Sequence, residues 1–206
     1  MKTKGMRGAA LAAALALLPA AAMAQAERKC EMDAYTIDED PKGINVRAGA
    51  STQAKVVGVI PVKKDQDIGV SIVAENQGWF RIKGYHNYAA NKDVKLGGWI
   101  HGSRLGMSLQ MMESQRGQLQ LREEPSERAK TPVLLKWEAG EEMKLKRLTA
   151  ELPGGKSEVI DWEKIKGAAT AVLLGCQGDW VRIKVHKYEG WVHGNALCGS
   201  PVTTCN

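Results

Sequence analysis

Apolar and polar residues alternate with a period of two in short runs along most of the chain. Examples are Val56-Val57-Gly58-Val59-Ile60, Ile68-Gly69-Val70-Ser71-Ile72-Val73 and Trp79-Phe80-Arg81-Ile82. That period puts successive side chains on opposite faces, and β-branched residues suit a pleated surface, so these runs predict strands. Turn signals separate them at Asp40-Pro41-Lys42-Gly43, Asn76-Gln77-Gly78, Pro153-Gly154-Gly155 and Gln177-Gly178-Asp179, where glycine permits positive φ and proline presets φ. No segment after residue 24 carries a long helical period. Short strands at close spacing predict a mainly β protein of small barrels or sandwiches.

The first residues break this pattern. Lys2, Lys4 and Arg7 precede an apolar run from Ala9 to Leu18, then Pro19 and Ala20-Ala21-Ala22-Met23-Ala24. The run is shorter than the roughly 20 residues that a spanning helix needs, and the small-residue stretch suits signal peptidase. A signal helix over 1–24, cleaved after Ala24, is therefore expected, with a periplasmic or secreted product. No later segment is apolar enough to span a bilayer. Cleavage removes Lys2, Lys4 and Arg7 and no acid, so the formal charge of +6 falls to +3. The remaining Lys and Arg are interleaved with Asp and Glu instead of forming a stripe, which argues against nucleic acid as a partner.

Three segments recur in the same order. Gly43-Ile44-Asn45-Val46-Arg47 is answered by Gly117-Gln118-Leu119-Gln120-Leu121-Arg122, and each leads to a turn ending in serine. Gly78-Trp79-Phe80-Arg81-Ile82-Lys83 is answered by Asp179-Trp180-Val181-Arg182-Ile183-Lys184, and Gly98-Trp99-Ile100-His101-Gly102 by Gly190-Trp191-Val192-His193-Gly194. Ordered matches of this kind mark a duplication.

The cysteines are Cys30, Cys176, Cys198 and Cys205. An even number in an exported chain predicts disulfides, and three pairings are open. If two bridges form, Cys30 pairs within the second half and clamps the halves together. No Cys-x-x-Cys spacing occurs and no histidine lies close to a cysteine, so neither a metal nor another cofactor is expected.

The run from Gly43 to Thr52, followed by Lys55-Val56-Val57-Gly58, is similar to the opening of a bacterial SH3 domain, where an Asn-Val-Arg strand enters a Gly/Pro-Ser turn. Asn76 to Ile82 resembles that family's Gly-Trp-aromatic hairpin, and Gly98-Trp99-Ile100-His101 resembles its final Gly-Trp-Val strand. The second copy departs from the pattern: Gln120 replaces the Asn, Glu124 the Gly, and a long insertion precedes Ala171. The resemblance implies two tandem small SH3-like barrels. The implied organisation is a lead at 25–33, a first barrel at 34–111, a linker at 112–116, a second barrel at 117–201 with an insertion at about 148–166, and a tail at 202–206. It also implies a noncatalytic module that holds peptidoglycan or a peptide in grooves between loops.

Recurring residues read as framework. Trp79, Trp99, Trp180 and Trp191 stand in strands beside glycine or a turn and close a core. Arg47 and Arg122 brace a turn carbonyl or an acidic neighbour, and His101 and His193 bond a turn instead of acting as bases. The aromatics that do not recur, Tyr85, Tyr88, Trp137 and Trp162, are the ligand candidates. In the exposed-looking Ile160-Asp161-Trp162, Ile160 and Trp162 are the hot spots if the protein is instead an adaptor or inhibitor of an envelope complex. No Gly-x-Ser-x-Gly, His-Glu-x-x-His or phosphate-loop motif occurs, so no enzyme is expected and a wall hydrolase is the remote alternative.

Overall fold

A computed structural model of the chain describes residues 26–62, 67–109, 117–139, 145–160 and 170–199. The expected signal peptide, the linker, Trp162 and Cys205 lie outside the described residues. Among the described residues, no helix is long and apolar enough to cross a membrane.

The first half contributes β1 (Arg28–Thr36), β2 (Ile44–Arg47), β3 (Val56–Ile60), β4 (Ile68–Asn76), β5 (Trp79–Asn87), β6 (Lys92–Val94), β7 (Gly98–His101) and β8 (Leu105–Ser108). The second contributes β9 (Gln118–Leu121), β10 (Val133–Ala139), β11 (Leu145–Leu152), β12 (Lys156–Ile160), β13 (Thr170–Gln177), β14 (Trp180–Val185) and β15 (Tyr188–His193). The protein is mainly β, as the alternation predicts. The described strands form two sheets, neither closed into a barrel. The larger runs β15-β14-β13-β8-β1-β4-β5-β7-β2-β3, with β6 on β5, and the smaller runs β12-β11-β10-β9.

The duplication is visible in the pairing. Strand β2 pairs with β3 and meets β7 where Arg47 faces Trp99. Strand β9 pairs with β10 and meets β15 where Arg122 faces Trp191. Strands β4, β5 and β7 correspond to β13, β14 and β15. Strands β7 and β15 each run into a single 3₁₀ turn, Gly102–Arg104 and Gly194–Ala196. Each turn is tied to the preceding hairpin: Gly102 donates its N–H to the Gly78 carbonyl at 2.8 Å and Gly194 to that of Asp179 at 2.7 Å.

The Gly-Trp pairs have a steric reason. A Cβ on Gly98 would stand 2.6 Å from Val46 and 2.7 Å from the Arg47 carbonyl, and φ there is +155°. One on Gly190 would stand 2.6 Å from Leu121. Both glycines let the strand that carries the arginine approach closely.

Inward-facing residues of both halves form one apolar cluster, including Phe80, Ile82, Ile100, Leu121, Leu135, Leu148 and Ile183. Burying each such side chain contributes about 1.5–3 kcal/mol. The halves join where β8 pairs with β13, through Ala171–Met107 and Val172–Gly106, which puts the buried Met107 at the seam. The Cys30–Cys176 disulfide fastens β1 to β13 across 146 residues, resolving one of the open pairings, and Cys198 is also oxidised. The Tyr35 and Thr170 hydroxyls hydrogen-bond across the same seam, and burial raises the Tyr35 pKa above its ordinary value.

Two expectations of exposure are corrected. Trp137 is buried in β10 between β9 and β11, because its neighbours cover the face on which Val133 and Leu135 also lie. Ile160 is buried at the end of β12, opposite Leu148, while Val159 is 61% exposed. The expected insertion at 148–166 covers most of β11 and all of β12, which extend the small sheet as a hairpin.

Candidate binding grooves

The strand β2 buries Ile44 and Val46 and turns Asn45 and Arg47 outward; β9 does the same with Leu119 and Leu121 against Gln120 and Arg122. Alternation therefore sends a polar pair from each copy to the surface. The pair meets the half-buried tryptophan that opens the next hairpin, Trp79 or Trp180, and the histidine that ends the third strand, His101 or His193. A groove of about 320 Å³ results in the first half and one of about 450 Å³ in the second.

The ring geometry repeats. Trp79 and His101 meet edge to face with centroids 5.2 Å apart, and Trp180 and His193 at 5.5 Å. His101 Nδ1 accepts the Ser103 N–H at 3.3 Å and lies 2.8 Å from its hydroxyl. Asn195 stands in place of Ser103, and among the described residues the buried His193 Nδ1 has no hydrogen-bond partner.

The arginines brace turn carbonyls, in agreement with the reading of the sequence. Arg47 Nη1 donates to the Ala54 carbonyl at 2.8 Å. Arg122 Nη1 donates to the carbonyls of Glu127 at 2.8 Å and Ala129 at 3.3 Å. Its Nη2 donates to Gln120 Oε1 and Glu127 Oε2, both at 2.8 Å, and the guanidinium lies 5.9 Å from the Trp180 ring centroid.

Another cleft, of about 610 Å³, lies in the first half. It exists because residues 80–98 make an extended hairpin with β6, whereas residues 181–190 turn tightly. Tyr85, His86, Tyr88, Asp93, Lys83 and Lys95 are among its walls. His86 Nδ1 lies 2.8 Å from Asp93 Oδ1 and its ring is 4.7 Å from that of Tyr88. Gly69 makes room for Tyr88, whose hydroxyl would stand 2.9 Å from a Cβ there.

Of the ligand candidates, the structure brings Tyr85 and Tyr88 together at this cleft and places Trp137 and Ile160 in the core. The equivalent grooves are lined instead by residues that recurrence marked as framework. Trp99 is buried in that role, but Trp79 and Trp180 are only half covered. The signal available in the sequence was that polar residues recur with the apolar ones: Asn or Gln, Arg and His at matched positions. Apolar planes, amide groups and guanidinium donors make these surfaces suited to recognition of an extended polar ligand. Compared with known proteins, the chain matches no family model, no curated protein and no solved structure.

Proposed function

We propose that the protein is a noncatalytic, exported binding module of two tandem SH3-like units, which holds peptidoglycan or a peptide of the cell envelope in its two equivalent grooves. The observation that carries this reading is the repetition of the groove itself. Asn45, Arg47, Trp79 and His101 are matched in place by Gln120, Arg122, Trp180 and His193. An extended ligand stacks on each indole and bonds the outward polar groups, and two linked sites raise its overall affinity through effective concentration. Export follows from the basic and apolar residues before Gln25, and N-terminal sequencing of the mature protein is expected to begin at Gln25.

Sedimentation with purified peptidoglycan tests the reading. Wild-type protein is expected to pellet, and Trp79→Ala/Trp180→Ala, folded by circular dichroism, to stay in solution. Release of soluble muropeptides would refute the noncatalytic role. One observation favours the adaptor reading: Val159 is exposed on β12, the edge of the small sheet, where a partner strand could add. Retention in solution, together with photocrosslinking from position 159 to one envelope protein, would establish that alternative.

A further inference from the structure

We infer that the first groove receives a carboxylate on Arg47, and that the protein's own Glu127 fills the corresponding place in the second. This rests on the proposal that the grooves are the binding sites, and it names the group they recognise.

The two turns that hold the arginines are built alike. Ala54 donates its N–H to the Ser51 carbonyl and Ala129 to that of Ser126, both at 3.1 Å. Ala48 bonds Lys55 at 2.8 Å, as Glu123 bonds Lys130 at 3.0 Å. The serine hydroxyls accept equivalent backbone N–H groups, from Gln53 at 3.1 Å and Arg128 at 3.2 Å. Each arginine then sends Nη1 to the matching alanine carbonyl. The guanidinium groups thus occupy the same place in the same turn.

They differ in what meets the remaining donors. In the second turn Glu127 reaches back and its carboxylate accepts from Arg122 Nη2 at 2.8 Å. In the first, the matching residue is the exposed Thr52, which carries no carboxylate. Arg47 is half-buried, and among the described residues the Ala54 carbonyl is its one hydrogen-bond acceptor. The two acids that line the same groove each accept another donor. Asp38 accepts from Arg104 Nη1 at 2.6 Å and Asp40 from the Lys42 N–H at 2.9 Å. A guanidinium has five donors in a planar fork that fits a carboxylate, and among the described residues no carboxylate meets Arg47 where Glu127 meets Arg122. A C-terminal carboxylate and an acidic side chain share this chemistry.

The test follows the arginine Nε–Hε signals of the whole mature protein by NMR during titration with N-acetylglycine, and separately with N-acetylglycinamide, which lacks the charge. Arg47 is expected to shift saturably with the acid and not with the amide, while Arg122 stays still. Thr52→Glu should weaken the Arg47 response about tenfold or more, and Glu127→Thr should make Arg122 respond. Equal responses to acid and amide, or a silent Arg47 in a folded protein, overturn the inference. A silent Arg47 in protein that still pellets with peptidoglycan rejects the carboxylate alone. A responsive Arg47 in protein that does not pellet supports the carboxylate and rejects peptidoglycan as the ligand. To separate the sources, succinamic acid and N-acetyl-aspartate amide are then compared with N-acetylglycine: preference for the last indicates a chain terminus, and preference for the aspartate derivative an acidic side chain.

Discussion

Four residues before each groove tryptophan stands a side chain that reaches β1, but the first half uses Glu75 and the second Cys176. Glu75 is fully buried and accepts from Arg28 Nε at 2.7 Å and from the Gly78 N–H at 2.7 Å. Cys176 is equally buried and is covalently bound to Cys30. Arg28 and Cys30 lie two residues apart on the same strand, so β1 is fastened to both copies at matched hairpins, once by charge and once by a disulfide. The duplication preserved where the strand attaches and exchanged the chemistry of attachment. The first fastening is an ion pair reinforced by hydrogen bonds, and the second is a covalent bond that reduction would open.

Removing the covalent fastening is expected to have the larger effect. Cys30→Ala/Cys176→Ala releases a loop of 146 residues, for which loop-closure entropy predicts a loss of about 4–5 kcal/mol. Chemical denaturation with and without reductant measures it, and an unchanged midpoint would contradict the clamp. Breaking the ionic fastening should cost less: Glu75→Ala is expected to lose about 2–3 kcal/mol. It leaves the Gly78 N–H without its acceptor, but Arg28, whose side chain is 45% exposed, returns to water. If both variants lost the same stability, the contrast between the fastenings would vanish.

Gly98→Ala should cost about 2 kcal/mol, through backbone crowding at positive φ. Gly190→Ala meets Leu121 without that φ and should cost somewhat less; the two denaturation curves compare the halves at their arginine strands.

The smallest effect concerns the hairpin that only the second half has. Glu158 accepts from Lys187 Nζ and, at 2.8 Å, from the Tyr188 hydroxyl. The Lys187 and Tyr188 hydrogen bonds lower its pKa below the ordinary 4.5, while the Glu158 hydrogen bond raises that of Lys187 above 10.5. A depressed carboxylate contributes stability above its unfolded pKa and loses it as pH falls through the folded value. A raised amine contributes below its unfolded pKa and loses it as pH rises through the folded value. The pair should therefore act between about pH 5 and 10. Glu158→Gln should lower stability slightly within that window and match wild type in stronger acid, as thermal melts across pH would show. A difference that persisted at the acid end would mean that Glu158 acts through packing and not charge.

The strands and turns, the duplication and the bracing role of Arg47 and Arg122 were legible because they depend on local alternation, turn chemistry and repetition. The same repetition hid the grooves: it marked Trp79, His101 and their counterparts as framework, and in a small β unit one residue can serve as both frame and wall. Ile160 was read as exposed because a single β run does not state which of its two faces is covered. Pairing with β11 turns Ile160 inward and Val159 outward.

The amino-acid sequence by itself determined a mainly β chain, duplicated in its strand motifs, with cysteines suited to bridging. Only the tertiary structure decided that Cys30 meets Cys176, that β8 joins β13 across the halves, and that the Glu127 carboxylate meets Arg122 while the matching Thr52 is exposed beside Arg47. The reason is physical: period and turn preference act over a few neighbouring residues, whereas these contacts join strands far apart in the chain and arise only once burial has selected the pairing.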